Sequence, residues 1–102
     1  MTRSEFDHSI ISGIFPSDGN ILLKALFHDA NGDWEAAHDI VQSREGTLLY
    51  DHLHAYLHRK EGDDWNANYW YRRAKTTMPT GSLEEEWERL VVLFIDNLNS
   101  NL

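Results

Sequence analysis

The chain has 102 residues, which is the size of one ordinary domain, and we expect residues 1–102 to form a single unit. Its formal net charge of -8 argues against nucleic-acid binding and against a basic membrane-surface protein, because both require a cationic face. The absence of cysteine excludes disulfides, thiolate catalysis and cysteine-ligated metal sites. The sequence has neither a long apolar run nor a basic-then-apolar start. We therefore expect no transmembrane helix, no signal peptide and a cytoplasmic location.

Residues 1–16 have the least regular pattern. The run Ser4-Glu5-Phe6-Asp7 suits the start of a short helix that would bring Phe6, Ile10 and Ile14 to one side, and Pro16 limits its length. The alternative is an apolar strap that lies over the helices that follow. The pattern does not decide between the two.

A repeat with an offset of 30 residues relates residues 23–41 to residues 53–71. Six of the nineteen aligned positions are identical, against roughly one expected from average composition. Apolar residues recur at three- and four-residue spacing on both sides of Gly32-Asp33 and of Gly62-Asp63. Glycine suits the left-handed position after a helix, and aspartate suits the cap of the next helix. We therefore predict an all-α fold built on two stacked helix–turn–helix hairpins.

The last part of the chain predicts one long helix. Pro79 and Gly81 end the second hairpin, and Ser82-Leu83-Glu84-Glu85 has the pattern of a capping box. The helix carries a wide apolar stripe, formed by Leu83, Trp87, Leu90, Val91, Phe94 and Leu98. Because this stripe does not match the repeat, we expect a capping helix that covers the open end of the stack. Residues Asn99 to Leu102 are expected to fray.

The second unit resembles a tetratricopeptide-type or Sel1-like helical repeat. The small and aromatic positions that carry the resemblance are Ala55, Gly62, Ala67, Tyr71, Ala74 and Pro79, and residues 68–74 are especially similar to the end of a Sel1-like unit. Much of the chain is also similar to a group of small bacterial proteins with no known activity. The repeat resemblance implies a non-catalytic module that binds a protein or peptide, or a second copy of itself.

One helical stripe combines metal-ligating side chains. Asp51, His54 and His58 are spaced by three and four residues, which places them on one face of a helix. Two histidines four residues apart can bind a divalent metal, and the carboxylate could be a third ligand. His28 is the repeat equivalent of His58 and is a further candidate ligand. The stripe suggests an alternative function, a small metal-dependent or histidine-based enzyme.

Other interpretations of these histidines remain open. The zincin pattern needs a glutamate directly after the first histidine, and the chain has Ala55 there. Histidines kept in both repeats are typical of packing residues that serve the shared fold. A pH-sensing use is also open, because histidine titrates near neutrality. His38 and His52 are additional candidate ligands.

Aromatic and basic residues on the second hairpin suggest a binding surface. Trp70 and Tyr71 are expected to fill the hairpin core, whereas Trp65 and Tyr69 are expected to lie partly outside it. A groove for a peptide would use stacking and cation–π contacts. The candidate binding residues are Tyr50, His54, Trp65, Tyr69, Arg72 and Arg73. This interaction hypothesis requires no cofactor.

Overall fold

The computed structural model describes residues 1–100, and the side chains of residues 1–97. Within that range the chain forms six helices and no strand, so the predicted all-α fold is confirmed. No helix in the described range is long and apolar enough to cross a bilayer. The helices are α1 (Arg3–Ser12), α2 (Ile21–Ala30), α3 (Trp34–Gln42), α4 (Leu48–Lys60), α5 (Asp64–Arg73) and α6 (Leu83–Ser100).

Helices α2 and α3 form one hairpin, and α4 and α5 form a second hairpin. The two turns have the same geometry: Gly32 has φ 82° and Gly62 has φ 86°, a left-handed conformation that favours glycine. The side chain of Asp33 accepts a hydrogen bond from the amide of Ala36, and that of Asp63 accepts one from the amide of Asn66, each at 3.1 Å. The turn residues therefore end one helix and begin the next as their spacing predicts.

The N-terminal segment is a helix rather than a strap. Its capping box uses Thr2 and Glu5, two residues before the predicted start, with Glu5 donating its amide to the Thr2 hydroxyl at 3.1 Å. Phe6 is buried in the core as expected. Ile14 does not join it, because the helix ends at Gly13 in a left-handed conformation and the Ile14 side chain is 73 % exposed.

Helix α6 begins as predicted but lies elsewhere in the fold. The Ser82 hydroxyl accepts from the Glu85 amide, and the Ser82 amide donates to the Glu85 carboxylate, each at 3.1 Å. The helix packs against α1, α2 and α4 instead of forming a layer beyond α5. The physical reason is that the first helices of the two hairpins share an apolar face, and the stripe of α6 buries it. The helix continues through Ser100, and residues 101 and 102 of the predicted frayed tail lie outside the described residues.

Helix α4 is the centre of the molecule. It packs against α3 and α5 with one face and against α6 with the opposite face. Its middle is buried on all sides, and the buried residues are Leu53, His54, Ala55, Tyr56, Leu57 and His58. Polar side chains on this helix are therefore held in dry surroundings, where each hydrogen-bonding group needs a partner.

Candidate metal centre

Three histidine side chains meet where the first hairpin packs on the second. His38 extends from α3, and His54 and His58 extend from successive turns of α4. One ring nitrogen of each lies within 4.8 Å of the others. His54 and His58 are buried, while His38 is partly exposed. We call these three residues the histidine cluster.

Two tryptophans hold the rings of the histidine cluster in place. The Trp34 ring stacks on His38 with centroids 4.7 Å apart, and its Nε1 donates to the carbonyl of Leu57 at 2.9 Å. On the other side, Trp70 of α5 stacks on His54 with centroids 4.0 Å apart. The rings are thus fixed by packing and by one long-range hydrogen bond, as a pre-organised binding site requires.

The ring nitrogens of the histidine cluster do not all have hydrogen-bond partners within the described residues. His38 Nε2 and His54 Nε2 are 3.1 Å apart, and within residues 1–97 neither nitrogen has another hydrogen-bond partner. His54 Nδ1 is buried and has no hydrogen-bond partner in the part of the chain that the structure describes. A buried nitrogen without a partner costs free energy. By contrast, His58 Nδ1 contacts the carboxylate of Glu61 at 2.5 Å.

Burial favours the neutral forms of His38 and His54. Burial, and then the neighbouring rings of His38 and His58, lower the pKa of His54 to about 3. Burial, followed by the ring of His58, also lowers the pKa of His38. Neutral imidazole is the form that binds a metal ion, because only its unprotonated nitrogen offers a lone pair.

The predicted metal residues are only partly brought together. His54 and His58 lie in the histidine cluster, but Asp51 does not. Its carboxylate accepts from the amide of Gly46 at 3.0 and 3.2 Å in the loop between the hairpins. His28 lies against the ring of Phe27, outside the cluster. The third member is His38, which the sequence offered only as an additional candidate ligand, because helical spacing does not relate residues of different helices.

A second group of possible ligands shares His58. Its other members are Glu61 and Asp63, at the turn of the second hairpin. Both carboxylate oxygens of Asp63 are already used, one by the amide of Asn66 and the other by its side chain, each at 3.1 Å. This group is therefore explained by the capping of α5, and the histidine cluster is the better candidate for a metal site.

The opposite face of α4 holds a different buried polar group. The Glu86 carboxylate is 1 % exposed and accepts from the Tyr71 hydroxyl at 2.8 and 2.6 Å and from the Arg59 guanidinium at 2.9 Å. We call these three residues the Glu86 network. His52 lies beside it, with Nε2 3.8 Å from Glu86 Oε2. Burial opposes ionisation of Glu86, but the donors around it prevail and lower its pKa.

The predicted binding residues are scattered around the second hairpin. Trp65 is 78 % exposed, and Tyr69 accepts a hydrogen bond from Arg73 at 3.1 Å. The Arg73 guanidinium also lies over the ring of Trp70, 5.3 Å from its centroid. Tyr50, beneath Arg44, is partly exposed, and Arg72 is exposed. His54 is 2 % exposed and so does not belong to an exposed groove.

Comparisons with protein-family models, curated proteins and solved structures give no match to this chain. The fold and the site therefore define only an all-α protein of two hairpins and a covering helix, with a buried histidine cluster between the hairpins.

Proposed function

We propose that this protein binds one divalent transition-metal ion through His38, His54 and His58, and that the ion ties the first hairpin to the second. The observation that carries the proposal is the convergence of three histidine rings from two helices, with one ring nitrogen of each residue within 4.8 Å of the others. Imidazole ligands suit zinc, copper, nickel and iron.

The distances suit an ion after small side-chain rotations. A tetrahedral zinc ion with nitrogen ligands at about 2.0–2.1 Å separates those ligands from one another by about 3.4 Å. His38 Nε2 and His54 Nε2 are already 3.1 Å apart. Only a small adjustment of the partly exposed His38 ring is needed, and a fourth position remains for water or a further ligand.

Glu61 supplies the outer support that such a site needs. Histidines that bind a metal generally donate their other ring N–H to a carboxylate or a carbonyl, which fixes the ring and its protonation state. His58 Nδ1 lies 2.5 Å from Glu61 Oε1, so a metal would use Nε2 of His58. The proposal extends to metal binding and not to a reaction, since Asp51 is committed to the amide of Gly46.

The test is a metal titration of protein first freed of metal with a chelator. We expect one equivalent of Zn²⁺ to bind, and Co²⁺ to give a visible spectrum typical of nitrogen coordination. Bound Cu²⁺ should quench the fluorescence of Trp34 and Trp70, which stack on the ligands. At an ion concentration a hundred times Kd, the free energy of unfolding should rise by about 2.7 kcal/mol.

Matched single-residue variants test where the metal binds. His38→Ala and Glu61→Gln change partly exposed or exposed side chains and should leave the fold intact. The first should abolish stoichiometric binding, and the second should weaken it by about 10- to 100-fold. His28→Ala is the control, because His28 is also partly exposed and lies outside the histidine cluster. Failure of the wild-type protein to bind any of these ions, or equal losses in His28→Ala and His38→Ala, would refute the proposal.

A second function is supported by the outer surface of α5. Trp65 and Tyr69 lie one turn apart, and Trp65 is 78 % exposed, which is costly for so large an aromatic ring without a partner. We propose that this surface, with Arg73, binds a protein or peptide in the manner of a non-catalytic interaction module. A partner captured by the wild-type protein and by Ile11→Ala, but lost with Trp65→Ala, would support it. Ile11 is the control because it is an exposed apolar residue on α1. Equal capture by all three proteins would contradict it.

A further inference from the structure

The outward side of α6 carries an apolar patch framed by opposite charges. Val92 is 52 % exposed and Leu93 is 38 % exposed. Together with Arg89, Asp96 and Glu88 they line a shallow, mainly apolar depression of about 470 Å³. Within the described residues neither Arg89 nor Asp96 forms an ion pair, whereas Glu88 is held by Arg3 at 2.7 Å.

The order of these residues is symmetric about the Val92–Leu93 peptide. Arg89 lies three residues before Val92, and Asp96 lies three residues after Leu93. If two copies of α6 pack antiparallel with the twofold axis at that peptide, Arg89 of each copy faces Asp96 of the other. Val92 then faces Leu93 of the other copy, so one patch makes two ion pairs and two apolar contacts. Self-complementarity of this kind is what a twofold interface requires.

We propose that two copies of this chain associate through antiparallel α6 helices, with Arg89 paired to Asp96 of the other copy on both sides of a Val92–Leu93 centre. The occupant is a second copy rather than another protein, because the charges complement each other only when the patch meets itself in reverse. Antiparallel helices also place opposite ends of their dipoles side by side. A single helix pair buries less than a stable interface of about 1,600 Å². The dimer is therefore weak and forms reversibly with concentration.

The acidic residues next to the patch do not oppose this arrangement. Glu88 lies opposite Asn97, four residues on either side of the centre, and Glu88 is already bonded to Arg3. Glu85, one turn before Arg89, uses its carboxylate in the capping box with Ser82. The net charge of -8 on each copy opposes association, so the facing charges must supply the specificity.

The test is sedimentation equilibrium of the full chain over a wide concentration range, in chelator so that metal cannot bridge copies. We expect a monomer–dimer equilibrium for the wild-type protein. Arg89→Asp places two carboxylates against each other, and Asp96→Arg places two guanidinium groups against each other, so each variant should be monomeric. The double variant restores opposite charges and should regain the dimer.

Circular dichroism checks that the variants remain helical, as expected because the side chains of Arg89 and Asp96 are exposed. A wild-type protein that is monomeric up to about 1 mM would overturn the proposal, since contacts weaker than about -4 kcal/mol define no dimer. Dimerisation unaffected by the single charge reversals, or a double variant that stays monomeric, would overturn it as well. The outcome does not depend on the metal site, which lies on the other side of α4.

Discussion

The two faces of α4 bury polar groups in opposite ways. On the α6 face, both oxygens of Glu86 accept hydrogen bonds, and the Arg59 charge balances the carboxylate. On the α3 face, His54 presents one nitrogen to another ring nitrogen and leaves the second nitrogen without a partner. The buried polar group on the α6 face makes its hydrogen bonds within the protein, whereas the group on the α3 face leaves one nitrogen without a hydrogen bond.

The difference teaches that burial by itself does not identify a functional group. Glu86 is at least as buried as His54, but its surroundings account for all of its interactions. The histidine cluster keeps one buried nitrogen, His54 Nδ1, without a partner among the described residues, and unsatisfied groups of this kind are expected at functional sites. Removing the buried polar group should therefore lower the stability of the metal-free protein on the α6 face and raise it on the α3 face.

The largest effect is expected from Glu86→Gln. Removing the charge leaves Arg59, whose side chain is 15 % exposed, without its carboxylate partner. The free energy of unfolding should fall by about 3 kcal/mol, as measured by urea denaturation. Glu84→Gln is the matched control on the same helix turn, and its exposed side chain should change stability by less than about 0.5 kcal/mol. Equal effects of the two changes would mean that the Glu86 network contributes nothing specific.

The next effect concerns the acid stability of the metal-free protein. Unfolded histidine titrates near pH 6.5, whereas burial and the rings of His38 and His58 lower the pKa of His54 in the fold to about 3. Between these values the unfolded chain binds more protons than the folded protein. The contribution of neutral His54 to the free energy of unfolding is therefore fully present above about pH 6.5 and is lost as the pH falls.

The decline should approach about 1.4 kcal/mol per pH unit for each histidine kept neutral by the fold, measured by urea denaturation at several pH values. Glu86, whose pKa is lowered, keeps its contribution above its unfolded value of about 4.3 and loses it only at lower pH. The range from pH 5 to about 6.5 therefore reports on the histidines. A stability curve that is flat over this range would contradict neutral burial of His54.

A smaller effect of opposite sign is expected from His54→Phe. The phenyl ring keeps the stacking on Trp70 and removes the unpartnered nitrogen, so the metal-free protein should gain about 1 kcal/mol while losing metal binding. Tyr71→Phe is the comparison on the other face, where the lost hydroxyl donates to a carboxylate and stability should fall by about 2 kcal/mol. Thermal unfolding of the two variants measures both stability changes. Similar losses of stability in His54→Phe and Tyr71→Phe would contradict the proposed difference between the two faces.

The smallest effect is expected from Trp65→Ala. Because the ring is 78 % exposed and outside both buried groups, the free energy of unfolding should change by less than about 0.5 kcal/mol. The same measurement on Trp70→Ala, which removes a ring stacked on His54, should show a loss of about 3 kcal/mol. A large loss for Trp65→Ala would show that its ring supports the fold and is not a free surface.

The helices and turns could be predicted because their signals are local. Gly32, Gly62 and the two following aspartates specify the turns within a few residues of sequence. The position of α6 could not be predicted in this way, because an apolar stripe shows that a face is buried but not which helices bury it. The capping box of α6 was confirmed, and its packing against α1, α2 and α4 corrected the expected end cap.

The candidate site was only half visible in the sequence. His54 and His58 share a helix, so their spacing revealed them, but His38 joins them through the packing of α3 on α4. The repeat indicated His28 instead, because it is the sequence equivalent of His58. The two positions have different neighbours in the fold, and only His58 packs against His38. Glu86 was hidden among capping carboxylates, although Leu90 one turn later is on the apolar stripe and places Glu86 on its inner side.

The placement of α6 also bears on the order in which the chain folds. The two hairpins are closed by contacts between neighbours in sequence, whereas the Arg3–Glu88 pair joins positions 85 residues apart. Local contacts form faster than distant ones, so the hairpins should form before α6 docks. During that interval the apolar face of α2 and α4 is open to water and to other chains. The protein is therefore most prone to aggregation in the interval before α6 docks.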